Sequence, residues 1–362
     1  MTSINVSDVE QLYSAVNVPG HEGAKIVLSP GTYVLSVADP GGGSRLNKGR
    51  LELQRDMSLH GVTGDRSAVV IDATGLPDDS VLLPLPHQAT NHTAPVRMGR
   101  GNNTIEWLTV LASPSGGGAG IATELDGTAN TRIRIAHVVS RGASRGLDVR
   151  NGGVPNAGRR IDADIVENEC IGPATNAANG IRVANFPGAN GGVVVATMSG
   201  NRTHGYQMGC LVANNRASNA TVQVRSAGDR FYANGLGCLV MGGRGTSAES
   251  SSSNSVRFEA HGSEFVDNTA ALGNDRGGIL VVGGVSSDNG ASHNTVAVEL
   301  FGSKVSDNFS PDFKALGARQ DMTAGPLGTD NHVTIELHGV SKHIEVVPPP
   351  DPSSTNTVTV IR

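Results

Sequence analysis

Three stretches, "RGLDVRN" (145–151), "NGIRVAN" (179–185) and "RTHGYQ" (202–207), hold most of the side chains that could move a proton or grip an anion. On extended backbone alternate side chains share a face, so Asp148 and Arg150 point the same way, and Arg182 matches Asp148 one unit later. Guanidinium groups neutralise a carboxylate, and arginine, histidine or tyrosine can serve as proton acceptor or donor. Arg150, Arg182, His204 and Tyr206 are therefore the candidate catalytic set. Turns leading into these strands and into "GGILV" add Arg145, Asn179, Gln207, Asp275 and Arg276, which with Asp148 form the candidate ligand-binding set. Asp148, Asp162 and Asp164 carry the oxygens that calcium prefers, though the latter two sit on a different strand, and calcium is the one cofactor these residues suggest. The competing use of Asp148 and Arg182 is a plain surface ion pair.

Such residues need a scaffold, and the sequence supplies one by repetition. From Asn103 onward, alternating strands such as "TVQVRSA", "SVRFEAH", "TVAVELF" and "HVTIELH" recur about every 28 to 40 residues. Each is followed by a glycine, a short second strand, an asparagine, and a third strand opening on glycine: "GLDV", "GIRV", "GCLV", "GCLV", "GILV". Three short strands per unit, with no helical periodicity between them, predict an all-β solenoid, the right-handed parallel β-helix. A propeller would need four antiparallel strands per blade. In a β-helix like residues stack about 4.8 Å apart. Asn151, Asn185 and Asn214 then share one corner, Asn234, Asn268 and Asn308 another, and Cys210 and Cys238 an interior column. The outward face of the glycine-led strands runs from Asp148/Arg150 and Arg182/Ala184 to Leu211/Ala213, Leu239/Met241 and Leu280/Val282. An outward column of the long strands reads Ala136, Asp164, Ala196, Arg225, Glu259, Glu299 and Glu336, an acidic stripe that must be solvated or bridged by a cation.

The composition agrees. Glycine, at 48 of 362 residues, is roughly twice average usage, and aromatics make up only 3%. A net charge of −5 without a basic block argues against nucleic-acid binding, and no apolar run is long enough for a membrane helix. Three cysteines give neither a disulfide framework nor a zinc motif. The start lacks a signal peptide, so the protein is secreted or periplasmic only if one has been removed, and otherwise cytoplasmic. "SDVEQLYSAV" (7–16) opens with Ser-x-x-Glu and places Val9, Leu12, Tyr13 and Val16 on one helical face, fit to cap the coil stack. One β-helix domain over 1–362 is expected. It divides into a cap helix within 1–22, early coils with long loops over 23–102, regular coils over 103–345 and a cap or folded-back tail over 346–362. Two loops stand out: 84–103 with His87 and His92, and 308–331, the longest insertion, with Asp312, Lys314, Arg319 and Asp321.

The stretch from Val6, with Ile26, Leu28, Gly31 and Tyr33 spaced as Ile-x-Leu-x-x-Gly-x-Tyr, resembles the N-terminal region of bacterial proteins of the pectate-lyase-like, right-handed β-helix superfamily. That resemblance implies a site on the sheet of glycine-led strands. It also implies a carbohydrate-active protein with a polysaccharide or glycan ligand, most simply a lyase or related uronate-polymer enzyme that abstracts a proton beside a carboxylate. The polygalacturonase branch carries Asn-Thr-Asp, Asp-Asp and Gly-His-Gly before successive glycine-led strands. This chain has "ASRG", "AANG" and "YQMG", which lack those acids. The alternative is a non-catalytic scaffold for glycan binding or for self-association through the apolar face of Leu211, Leu239, Met241, Leu280 and Val282.

Overall fold

Alternation forces the strands to lay one face on a core. In Thr221–Ala227 the side chains of Val222, Val224 and Ser226 are buried while Gln223, Arg225 and Ala227 face outward. The strands before and after it, Val193–Ser199 and Ser255–His261, pair with it in parallel and in full register. The structure, a computed structural model, describes residues 2–77, 94–113, 118–123, 129–152, 158–175, 177–246, 250–270, 275–286, 290–320, 328–340, 344–347 and 355–362. Among these the strands form three parallel sheets of twelve, ten and nine members, with each turn of chain placing one strand in each sheet. The protein is a right-handed parallel β-helix, and the core fills the prism between the sheets.

The corners are set by local chemistry. Between the twelve- and nine-stranded sheets one residue per coil takes left-handed backbone: Gly200, Gly228, Gly262 and Gly302 have φ of 66°, 63°, 58° and 55°. In three earlier coils the same position holds Trp107, His137 and Glu167 at φ 59°, 55° and 52°, each costing about 1 kcal/mol or more relative to glycine. The next residue forms a ladder. Asn168 donates to Asn201 Oδ1 at 3.0 Å, and Asn201 to Asp229 Oδ1 at 2.8 Å. At the following corner Asn234 donates to Asn268 and Asn268 to Asn308, at 3.2 and 2.8 Å. Asn151, Asn185 and Asn214 align in register as expected. A fourth ladder, Asn294 to Asn331 to Asn356 at 2.9 Å each, was not anticipated.

The glycines that open the third strand serve close approach. A Cβ on Gly180 would stand 2.6 Å from the Gly209 carbonyl oxygen and from Thr203 Cβ, so only hydrogen fits between coils.

Several local expectations change. The cap helix Val9–Asn17 is N-capped by Asp8, which accepts from the Gln11 amide at 2.8 Å, rather than by Ser7 in a Ser-x-x-Glu box. The 308–331 segment is not one long insertion, because Phe313–Gln320 is a full strand of the ten-stranded sheet. The last strand, Thr357–Ile361, pairs in parallel with His332–His338 and so continues the stack rather than folding back. The acidic stripe reads Arg134, Asp164, Thr197, Arg225, Glu259, Glu299, Glu336. Ala136 pairs with Val166 and Ala196 faces the core, because that stretch sat out of register in the sequence reading. The stripe carries its own polar partners. Glu259 meets His261 and Arg225, Arg257 Nε lies 2.9 Å from Glu299, and His338 lies 3.5 Å from Glu336.

Asp229 puts an acid among these amide rungs, as Asp312 does beyond Asn308, and burial raises the Asp229 carboxyl pKa to about 6 against the bonds from Ser226 and Asn201. Its native form binds the proton more tightly than the unfolded chain, so this group's contribution to stability is most favourable below about pH 4 and is lost as pH rises through about 6. Asp229→Asn keeps the rung and removes the charge. It is expected to raise stability at pH 7.5 by about 1–3 kcal/mol and to change little at pH 4, as measured by urea unfolding at both values.

Candidate functional site

One outward column of the ten-stranded sheet runs Glu52, Arg97, Ala122, Asp148, Arg182, Leu211, Leu239, Leu280, Lys314, Glu345. Its ends are ion pairs, Arg97 with Glu52 at 2.6 Å and Lys314 with Glu345 at 3.4 Å, and its middle is leucine. The neighbouring column is Arg150, Ala184, Ala213, Met241, Val282, Leu316. The outward positions read from the glycine-led strands are therefore correct, but their exposure is not. Leu239, Met241, Leu280 and Val282 are each under 10% exposed and form an apolar cluster of their own on the outer face. That leaves little bare surface there for self-association.

Over this cluster lies an open cleft of about 320 Å³. Leu211, Leu239, Met241 and Val282 line its floor, Phe186 and Met208 its walls, and Arg145, Arg182, Arg244, Arg319, Asn179, Gln207 and Asp275 its polar rim. Arg182 is fixed by Asp148, donating from Nε at 2.7 Å and also from a terminal nitrogen, with both side chains buried. The pair is thus internal rather than a surface bridge. Burial alone would raise the Asp148 carboxyl, but Arg182 and Arg150 beside it hold it below the ordinary range. Losing Arg182 would leave that carboxylate stranded, at about 3–5 kcal/mol. Burial and then the like charge of Arg182 push the Arg145 guanidinium down to about 10. Asp275 accepts from Arg319 at 2.5 Å, which ties the far rim together.

Five of the ten candidates, Arg145, Asn179, Arg182, Gln207 and Asp275, thus share the cleft, with Asp148 directly behind Arg182. The other four do not. Arg150 is buried and its guanidinium stacks 4.5 Å from the Phe186 ring, as does that of Arg182 at 4.7 Å. Arg276 lies outside, over Phe309. His204 belongs to the nine-stranded sheet, stacked on Tyr232 and 3.7 Å from Glu169. Tyr206 is fully buried in the core and its hydroxyl has no hydrogen-bond partner among the described residues. Burial pushes its pKa well above the ordinary value, which removes it as a proton shuttle.

Phe186, Met208, Arg244 and Arg319 are among the cleft residues that the sequence does not single out for this site. A signal for the last two existed: "LVMGGR", "LVVGGV" and "KALGAR" are one aligned motif, which places Arg244, Val285 and Arg319 in a single column.

For calcium the fit is poor. Asp148 is neutralised by Arg182, and Asp162 and Asp164 pair with Arg160 and Arg132 on another sheet. No cluster of three or more metal-ligating side chains occurs among the described residues. His87 and His92 lie outside the described residues.

Fold and cleft together define a parallel β-helix protein with an arginine-rimmed groove along one sheet. No family model matches the chain, and no curated protein does. Among solved structures it is similar to the A-module of Azotobacter vinelandii mannuronan C-5 epimerase AlgE4. The match has 14% identity and a TM-score of 0.40, over 97% of this chain and 100% of that one. It is also similar to the catalytic domain of a GH87 alpha-1,3-glucanase in complex with nigerose. There the identity is 12% and the TM-score 0.37, over 100% of this chain and 68% of that one. Tailspike protein 3 of bacteriophage CBA120 overlaps at 11% identity and a TM-score of 0.26, over 97% of this chain and 58% of that one. The fold stands on the strand registers themselves, since all three scores are below 0.5.

Because Tyr206 contributes only an unsatisfied hydroxyl to the core, Tyr206→Phe is expected to raise stability by about 1 kcal/mol and to leave ligand binding unchanged. A thermal melt paired with a binding titration checks both.

Proposed function

We propose that the cleft binds a segment of acidic polysaccharide and that the protein acts on it by removing the proton beside a uronate carboxylate, as a lyase or a related uronate-processing enzyme does. The observation that carries this is the gathering of Arg145, Arg182, Arg244 and Arg319 around an apolar floor in one open groove. A pyranose ring offers apolar C–H faces to Leu211 and Leu239, while its carboxylate meets the guanidinium rim.

In this reading Arg182, held in place by Asp148, donates its remaining N–H groups to the carboxylate. The excess of rim arginines over Asp148 and Asp275 stabilises the negative charge that develops as the neighbouring carbon loses its proton. In a lyase the C4–O4 bond then breaks to leave a 4,5-double bond, and the departing oxygen takes a proton from water. Arg145, whose pKa is depressed to about 10, is the proton acceptor, because its neutral fraction is far larger than that of an ordinary arginine. Asn179 and Gln207 are placed to orient sugar hydroxyls. A second reading, glycan binding without turnover, is favoured by the positions of His204 and Tyr206 outside the cleft, since neither can then supply acid–base chemistry near neutral pH.

The test is incubation with pectate, alginate and related uronate polymers, with and without calcium, following ultraviolet absorbance of unsaturated product. Lyase action predicts a kcat/KM that climbs with pH and levels near 10, where Arg145 becomes neutral. Arg145→Gln is expected to lower kcat by about 100-fold with a smaller change in KM. Saturable binding with no product from any polymer would favour the second reading, and no binding at all would remove both.

A further inference from the structure

We propose that the corner occupied by Trp107, His137 and Glu167 is a second carbohydrate site, and that it takes a sugar unit bearing an anionic group. The three side chains stand in consecutive coils at a position where the later coils use glycine, and where the left-handed backbone disfavours an aromatic or branched residue. Left-handed backbone also occurs at Ala233, Asp267 and Asp307 on the next corner, so what sets this corner apart is the chemistry its three side chains bring together.

The arrangement around them is that of a ligand site. Trp107 and His137 stack with ring centroids 3.8 Å apart and planes 13° from parallel. His137 Nδ1 lies 3.2 Å from Glu167, whose carboxylate is largely exposed. With Arg66 and Arg202 they line a cleft of about 440 Å³. Gly64 forms part of the wall and presents no side chain to the space. Arg66 is engaged by Glu169 at 2.9 Å, whereas the exposed Arg202 guanidinium has no ion pair among the described residues. The aromatic pair supplies a surface for a pyranose, Glu167 accepts from hydroxyls, and Arg202 meets the anion. This corner joins the twelve- and nine-stranded sheets and is the one that does not border the ten-stranded sheet. The two sites are therefore separate, and the inference does not depend on turnover in the groove.

Trp107 is the chain's single tryptophan, so intrinsic fluorescence reports on this corner. Titrating the full chain with oligogalacturonate and oligomannuronate is expected to give a saturable fluorescence change with at least one of them, and none with a neutral cello-oligosaccharide of equal length. Arg202→Gln should weaken that response by about tenfold. Arg145→Gln, which alters the groove, should leave it unchanged. Trp107→Gly suits the backbone at this position, so it should melt no lower than the parent protein, and calorimetry should then count one bound oligosaccharide fewer. An absent response, an equal response to the neutral oligomer, or undiminished affinity in Arg202→Gln or Trp107→Gly would overturn the proposal.

Discussion

A residue in an inner strand of this protein has a counterpart in the coil above and in the coil below, because successive coils pair in parallel and in register. That spacing of about 4.8 Å governs the rest. It lets an amide such as Asn268 accept from one neighbour and donate to the next, so buried corners carry satisfied ladders. It equally forbids columns of uncompensated charge. The protein answers with alternation, Glu52 with Arg97 and Asp148 with Arg182, or with lateral neutralisation, as Arg257 provides for Glu259 and Glu299. Asp229 and Asp312 each bring a carboxyl to an amide ladder, and burial makes Asp229 hold its proton more tightly than usual.

The same constraint explains what could be read from the sequence. Strand alternation, glycine before the third strand and asparagine at the corners all follow from stacking, so the coil architecture and the columns from Asp148 to Leu280 were legible. Turns obey no alternation. Tyr206 sits in one, between His204 and Met208, and its inward direction could not be inferred from strand parity. His204 was misplaced for a related reason: it is the last residue of a three-residue strand in a different sheet, although close in sequence to the cleft residue Gln207. Arg319 is hidden because its strand, "FKALGARQ", opens on Phe313 rather than on the glycine that marks the third strand elsewhere. Burial was also beyond reach, since sequence parity marks Leu239 as outward but does not reveal what covers it.

Two places depart from the plain repeat, and both concentrate chemistry. The groove combines an apolar floor with guanidinium groups from four coils. The Trp107 corner places an aromatic, an imidazole and a carboxylate where glycine would be easier. In each case the regular coils around the departure hold its backbone in place.

The coil stack also acts as a ruler. Arg244 and Arg319 occupy one column with Val285 between them, so their strands stand two steps, about 9.6 Å, apart along the axis. Rigid strands fix that interval, and on the proposed reading a bound chain would engage both cations only if its charges recur at a commensurate distance. Selectivity in such a groove is a matter of pitch, chosen by how many coils separate one cation from the next.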